Sequence, residues 1–333
     1  MNLRVIKAGV LDSVQDLGRY NWQQLGINPG GAMDRWSAQV ANILVNNKKE
    51  EAVIELHFPA SEFIFEEPAL ITVCGANFSP HVNGEEIPCC QPILINKYSI
   101  LQFYGLKKGA RAYLAVHGGF DIPAWLNSYS TNLKAGTGGY KGRALQKDDQ
   151  IVIRSLAPEL LSLLGKKEFM ILPWKADTTW DENETKAISI LEGNEWDGLP
   201  GASKESILNQ IFAITNQSDR MGYRLQGDSL SGIADEELIS SAVSFGTIQL
   251  LPDGQLIVLM ADHQTTGGYP RVAHVISSHH SRLAQMKSGD KIRFRFTDQQ
   301  TAEELLIKQQ QHLCQLQNAC TFRLQEYINA NRH

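Results

Sequence analysis

Apolar and polar positions alternate through much of the first half of the chain, and a period of two predicts strands. "EFIFEEPALITVCGA" (62–76) alternates directly, while "PILINKYSILQFYG" (92–105) and "RAYLAVHGG" (111–119) place β-branched and aromatic residues between turn signals. One stretch shifts to a helical period. In "RWSAQVANILVNN" (35–47), Trp36, Val40, Ile43 and Leu44 share a face, with Asp34 as N-cap or first-turn acid. The second half resumes the strand period in "AISILEG", "QIFAITNQSDRMGYRLQG" and "GTIQLLPDGQLIVLMAD", where Pro252-Asp253-Gly254 signals a turn. From Thr301 the pattern changes again. Leu306, Leu313, Leu316, Leu324 and Ile328 suit an amphipathic helix with a Gln-rich outer face, either packed on the body or reserved for a partner.

The two halves close alike: "KDDQIVIRS" (147–155) and "SGDKIRFRF" (288–296) each run from a polar turn into a strand. "NPGGAMD" and "TTGGYP" also place Gly-Gly beside polar residues at a strand edge. These echoes predict a mainly β chain of two related domains, 1–155 and 187–298. A linker region, 156–186, joins them, and a helical tail, 299–333, follows. A length of 333 residues suits two domains of about 100–200 residues each.

Composition narrows the function classes. Hydrophobic residues at 43% and charged residues at 20% supply real cores and exclude bulk disorder. Thirty-six acids against 31 bases give a net charge of -5 without a basic stripe, which sets nucleic acid aside. No run of about 18 apolar residues and no signal-peptide pattern occurs, so the expected location is cytoplasmic. Five cysteines, Cys74, Cys89, Cys90, Cys314 and Cys320, are unevenly spread and suit reduced thiols.

The chain contains no Walker A sequence, no H-E-x-x-H, no G-x-S-x-G and no paired C-x-x-C. What remains is a set of polar clusters. "GTGGYKGR" (136–143) is Gly-rich and basic, so it is either an anion-wrapping loop around Arg143 or a flexible β-loop. "SVQDLGRY" gathers Gln15, Asp16 and Arg19. "NQSDRMGYRLQG" sets Ser218, Asp219, Arg220 and Arg224 after a strand, as an anion clamp with an adjacent base or as a surface ion pair. "ADHQTTGGYPRVAHV" (261–275) follows the strand "LIVLM", and its Gly267-Gly268 permits close backbone approach. His263 and His274 lack a ligand-like spacing and are expected to be hydrogen-bonded rather than metal-bound.

The ordered blocks "AGVLDSVQDLGR", "GINPGGAMDRWSAQVAN", "YLAVHGGFDIP", "STNLKAGTGGYKGRAL", "SDRMGYRL", "DHQTTGGYPRVAHV" and "LAQMKSGDKIRFRF" resemble the allophanate-hydrolase-subunit-2-like proteins. That family takes in the 5-oxoprolinase C-subunit proteins, the Kip antagonist protein and part of the urea carboxylase carboxyltransferase domain. The resemblance implies two cyclophilin-like β-barrel domains. It also implies work with a Kip-inhibitor-like B-subunit and an A-subunit in ATP-dependent opening of 5-oxo-L-proline to L-glutamate, with Mg expected beside ATP and no biotin on this chain. An unstrained lactam is a poor electrophile, and phosphorylating its oxygen creates a leaving group before water attacks.

On this resemblance the expected catalytic residues are Asp219, Arg220 and Gln264. Substrate or phosphate contacts are expected from Gln15, Asp16, Arg19, Gly138, Gly139, Arg143, Thr265, Thr266 and Arg271, with no metal site. Urea carboxylase relatives typically have Asn where this chain has Asp219, which favours the oxoprolinase branch. Gly193-Asn194-Glu195 departs from the usual Gly-Pro-Gln or Gly-Pro-Glu. The alternatives are a biotin-dependent, urea carboxylase-like carboxyltransferase component and a regulatory protein that binds a Kip-type kinase inhibitor.

Overall fold

Alternation in the first half becomes strands with every second side chain inside. Leu3 and Val5 of Asn2–Lys7 pair antiparallel with Phe65 and Phe63 of Glu62–Phe65, and all four are buried while their strand neighbours stay half-exposed. The structure is a computed structural model that describes residues 2–154, 156–178, 187–231 and 238–331. It divides into two units. The first comprises Met1–Gly18, Asp34–Trp180 and Gln310–His333, and the second comprises Arg19–Met33 and Asp181–Gln309. Of the expected linker, 179–186 lies outside the described residues.

The first unit holds two six-stranded sheets around one apolar core that includes Leu3, Phe63, Ile71 and Leu114. Its helix Arg35–Leu44 begins as the sequence predicts, because the Asp34 carboxylate accepts the Ser37 N–H at 2.9 Å and the Ser37 hydroxyl at 2.6 Å. Every residue from Trp36 to Leu44 is buried, and the helix lies on the strands Ala69–Asn77 and Lys108–Val116.

The second unit is built on one eight-stranded sheet. Its order runs Lys291–Ile292, Phe212–Ile214, Gly222–Gln226, Leu256–Leu259, Thr247–Leu250, Arg271–Val275, Ile188–Glu192, Phe294–Phe296. The two edge strands are separated in sequence by Arg293 alone, so the sheet curls into a nearly closed barrel. Tyr223, Leu225, Ile248, Leu250, Leu256 and Val258 point into the barrel core.

A long helix, Gln299–Ala330, ends the chain. Asp298 accepts the Thr301 N–H at 2.8 Å, and Leu313, Cys320 and Leu324 form its buried stripe. Within the first unit this stripe is packed: the Trp36 and His312 rings lie 5.5 Å apart, and those of Trp174 and Tyr327 5.9 Å apart. The fold is mainly β with few helices and a helical tail, as the alternation predicts. Among the described residues no helix is long and apolar enough to cross a membrane.

Candidate functional site

In the first unit the charged expected contacts, Asp16 and Arg143, are already committed to internal bonds. Asp16 is buried and accepts the Gly18 N–H at 2.7 Å, the Ser128 hydroxyl at 2.8 Å, the Tyr129 N–H at 2.6 Å and the Ser130 hydroxyl. Its carboxylate thus fixes the 128–130 loop. Gln15 is fully buried and its Nε2 donates to the Ser13 hydroxyl at 2.9 Å, while its Oε1 has no partner among the described residues.

Arg143 grips Asp149 with two bonds, 2.6 and 2.7 Å, and also donates to the Ala144 carbonyl. Burial pushes the Asp149 carboxyl up, but Arg143 and the Gln146 N–H outweigh it and hold the group below its ordinary value. Gly138 and Gly139 both have positive φ. A Cβ at Gly139 would lie 1.9 Å from the Thr131 hydroxyl oxygen, so this glycine serves close packing on Thr131. The Gly-rich loop is a stapled turn, with Asn132 and Thr137 exchanging backbone bonds.

The second unit gathers a buried polar knot. Arg220, at 5% side-chain exposure, donates to Asp262 from Nε at 2.8 Å and from Nη2 at 3.1 Å, and from Nη2 to the Gly31 carbonyl at 2.7 Å. The Asn28 amide donates to the Asp262 carbonyl at 3.0 Å. Gly30, at φ 62, lets the buried Arg19 approach the same turn; a Cβ there would lie 3.1 Å from Arg19 Nη1 and 3.6 Å from an Asp262 carboxylate oxygen. Asp219 is exposed, and its Oδ1 accepts the Met221 and Gly222 N–H groups, which shapes the turn into Gly222–Gln226.

Arg271 is likewise held. It binds Glu195 from its backbone N–H at 2.7 Å, Nε at 3.1 Å and Nη2 at 2.7 Å. Burial raises the Glu195 carboxyl, yet the Arg271 side chain and N–H dominate and leave it below its usual range. The Gly193-Asn194-Glu195 segment therefore keeps its acid at a structural post. A Cβ at Gly193 would lie 2.0 Å from the Arg271 carbonyl oxygen, which accounts for the glycine.

His263 Nδ1 meets the Gln264 carbonyl at 2.5 Å and His274 Nδ1 meets the Thr247 hydroxyl at 3.3 Å. Both are hydrogen-bonded. Burial first, with Arg271 adding to it, pushes the His274 pKa down. Thr265 gives its carbonyl to the Val243 N–H, and Thr266 lies in the short strand opposite Ala242.

Gln264, like Thr265 and Thr266 with their hydroxyls, keeps its side chain uncommitted among the described residues. Its side-chain amide makes no hydrogen bond with a described residue, and it lines a hollow of about 310 Å³ with Arg224, Gln249, Ile257, Leu259 and Tyr269. Arg224 enters the sequence reading only as a member of the Ser218, Asp219 and Arg220 cluster, without a contact of its own, and Gln249 does not enter it. Their signal is an alternation: each interrupts an apolar strand at a position facing away from the core.

Residues 25–296 match the family described as carboxyltransferase domain, subdomain A and B. The chain is 34% identical over 292 residues to the 5-oxoprolinase C-subunit of Escherichia coli (strain K12), covering 88% of this chain and 90% of that protein. It is 32% identical over 317 residues to the 5-oxoprolinase C-subunit of Haemophilus influenzae, covering 91% and 94%. The crystal structure of the K. lactis urea amidolyase superposes with a TM-score of 0.83 at 25% identity, covering 95% of this chain but 20% of that one. The chain thus belongs to the carboxyltransferase domain family, the family that its ordered blocks resemble.

Proposed function

We propose that this chain is the C-subunit of an ATP-dependent 5-oxoprolinase complex, acting with the A- and B-subunits to open 5-oxo-L-proline to L-glutamate. The carrying observation is length: the two relatives named as 5-oxoprolinase C-subunits match over 90% and 94% of their own chains, so this chain is equivalent in extent to that component. Urea amidolyase supports a second reading, carboxyl transfer, through its fold. The chain spans a fifth of that protein, and the remainder would have to come from other chains.

ATP and Mg fit poorly on the residues expected to hold phosphate here. Arg143, Arg220 and Arg271 each grip an acid of their own unit. The described residues hold no group of three His, Cys, Asp or Glu side chains able to hold an ion. In this proposal those three arginines hold turns rather than phosphate, and the nucleotide is held elsewhere in the complex.

The test is reconstitution. The chain is purified with its A- and B-subunit partners, and glutamate release from 5-oxo-L-proline is measured with and without ATP. ATP-dependent glutamate that requires this chain supports the proposal; none from the full set overturns it.

A further inference from the structure

Four adjacent strands of the second unit place one polar row across the sheet. Arg224 pairs with Ile257, Ile257 with Gln249, and Gln249 with Arg271. Residues directly opposite one another share a face. Their strand neighbours Tyr223, Leu225, Ile248 and Val258 fill the barrel core, so the row faces away from it.

Two members of this row keep open chemistry. Arg271 is closed by Glu195. The Arg224 guanidinium makes no hydrogen bond or ion pair with a described residue. Gln249 is 1% exposed and holds the Tyr269 carbonyl through Nε2 at 3.2 Å. Gly267 brings the second amide in: a Cβ there would sit 2.6 Å from Gln249 Nε2 and 3.4 Å from Gln264 Nε2. Both amides therefore border the same missing side chain.

The hollow over this row measures about 310 Å³, with Ile257 and Leu259 as apolar lining and Tyr269 also bordering it. That is the low end of small-molecule sites. Arg224 and Gln249 lie two strands apart, about 10 Å at the backbone, which leaves space between a guanidinium and an amide for a molecule of a few heavy atoms. Asp253 lines the same hollow and keeps its Oδ1 on the Gln255 N–H at 3.0 Å.

We propose that this hollow binds a small carboxylic acid that carries a cis secondary amide, its carboxylate on Arg224 and its amide on Gln264 beside Gln249. The inference rests on the proposed function, whose substrate has this chemistry. A lactam ring holds its N–H and C=O on one side, and a glutamine carboxamide presents C=O and N–H side by side, so two parallel hydrogen bonds form. Guanidinium and carboxylate add a charge-assisted, bidentate contact. L-Proline lacks the amide acceptor, and 2-pyrrolidinone lacks the carboxylate.

Binding of 5-oxo-L-proline, L-proline and 2-pyrrolidinone to the full chain is measured by calorimetry, and KM is measured in the reconstituted complex. The expected result is preference for 5-oxo-L-proline over both fragments. Arg224→Gln weakens Kd and raises KM about ten- to hundredfold, Arg224→Lys recovers part of the loss, and Gln264→Leu weakens 5-oxo-L-proline more than L-proline. Arg224 is exposed and its guanidinium unbonded among the described residues, so the variant keeps the wild-type melting curve. A turning-over complex whose KM is unchanged by Arg224→Gln overturns this inference and leaves the proposed function standing. Arg224-dependent binding by a complex that releases no glutamate does the reverse.

Discussion

Breaking the Arg220–Asp262 pair is expected to unfold the second unit locally rather than to remove a ligand contact. Arg220 is 5% exposed and Asp262 15%, and the guanidinium donates twice to Asp262 and once to the Gly31 carbonyl. Asp262→Ala takes the carboxylate away from a desolvated cation, a loss of about 3–5 kcal/mol. Replacing both partners by apolar residues of similar volume, Arg220→Met with Asp262→Leu, removes the buried charge as well and restores stability to within about 2 kcal/mol of wild type. The assay is a double-mutant cycle by urea titration, with hydrogen exchange of residues 256–263 as the local probe, since a chain of two units need not unfold in one step. An Arg220→Met variant with an unchanged urea midpoint but no turnover would refute the structural role and return Arg220 to ligand binding.

Two further outcomes follow from close contacts. Gly193→Ala places a Cβ 2.0 Å from the Arg271 carbonyl oxygen and 2.7 Å from the Ala273 nitrogen, both backbone atoms, so paired strands must part. A loss of about 3 kcal/mol is expected, read as a melting temperature about 6–12 °C lower; a wild-type melt would contradict it. His279 is fully buried with Nδ1 accepting the Ser189 N–H at 2.9 Å, which suits neutral imidazole. Burial, aided by Arg282 and Arg295, pushes its pKa from 6.5 to about 3. Between these values the unfolded chain binds a proton that the folded chain refuses, so its contribution is complete above pH 6.5 and is lost as pH falls, at about 1.4 kcal/mol per unit. From pH 7 to 5, wild type should lose about 2 kcal/mol more than His279→Asn in urea titrations, and equal losses would sink this assignment.

Local structure was legible in the sequence because its causes are local. Asp34 caps the helix it precedes, Gly254 turns the chain at Pro252-Asp253-Gly254 with φ 78, and Leu313 and Leu324 mark the buried stripe of the last helix. The state of each charge was not legible. Asp16 finds Ser128 across 112 positions, Arg271 finds Glu195 across 76, and Arg220 finds Asp262 across 42. A guanidinium beside a Gly-rich turn reads the same in sequence whether it faces solvent or a carboxylate. Arg224 shows the converse, since only the pairing register reveals that it shares a row with Gln249 and Arg271.

This division of charges bears on how a 5-oxoprolinase complex would share its chemistry. Phosphoryl transfer needs uncommitted cations near developing negative charge. In this chain Arg143, Arg220 and Arg271 spend their charge on Asp149, Asp262 and Glu195, holding turns in place. Releasing any of them for phosphate would strand a partner acid; Asp149 is 7% exposed, so the exchange costs more than a surface ion pair would. Recognition of a small neutral amide with one carboxylate makes no such demand. The unbonded Arg224 guanidinium and the two amides beside Gly267 suffice for it. On the proposed reading, the hollow beside Gly267 is therefore suited to acid-and-amide recognition, and Arg143, Arg220 and Arg271 to holding turns rather than phosphate.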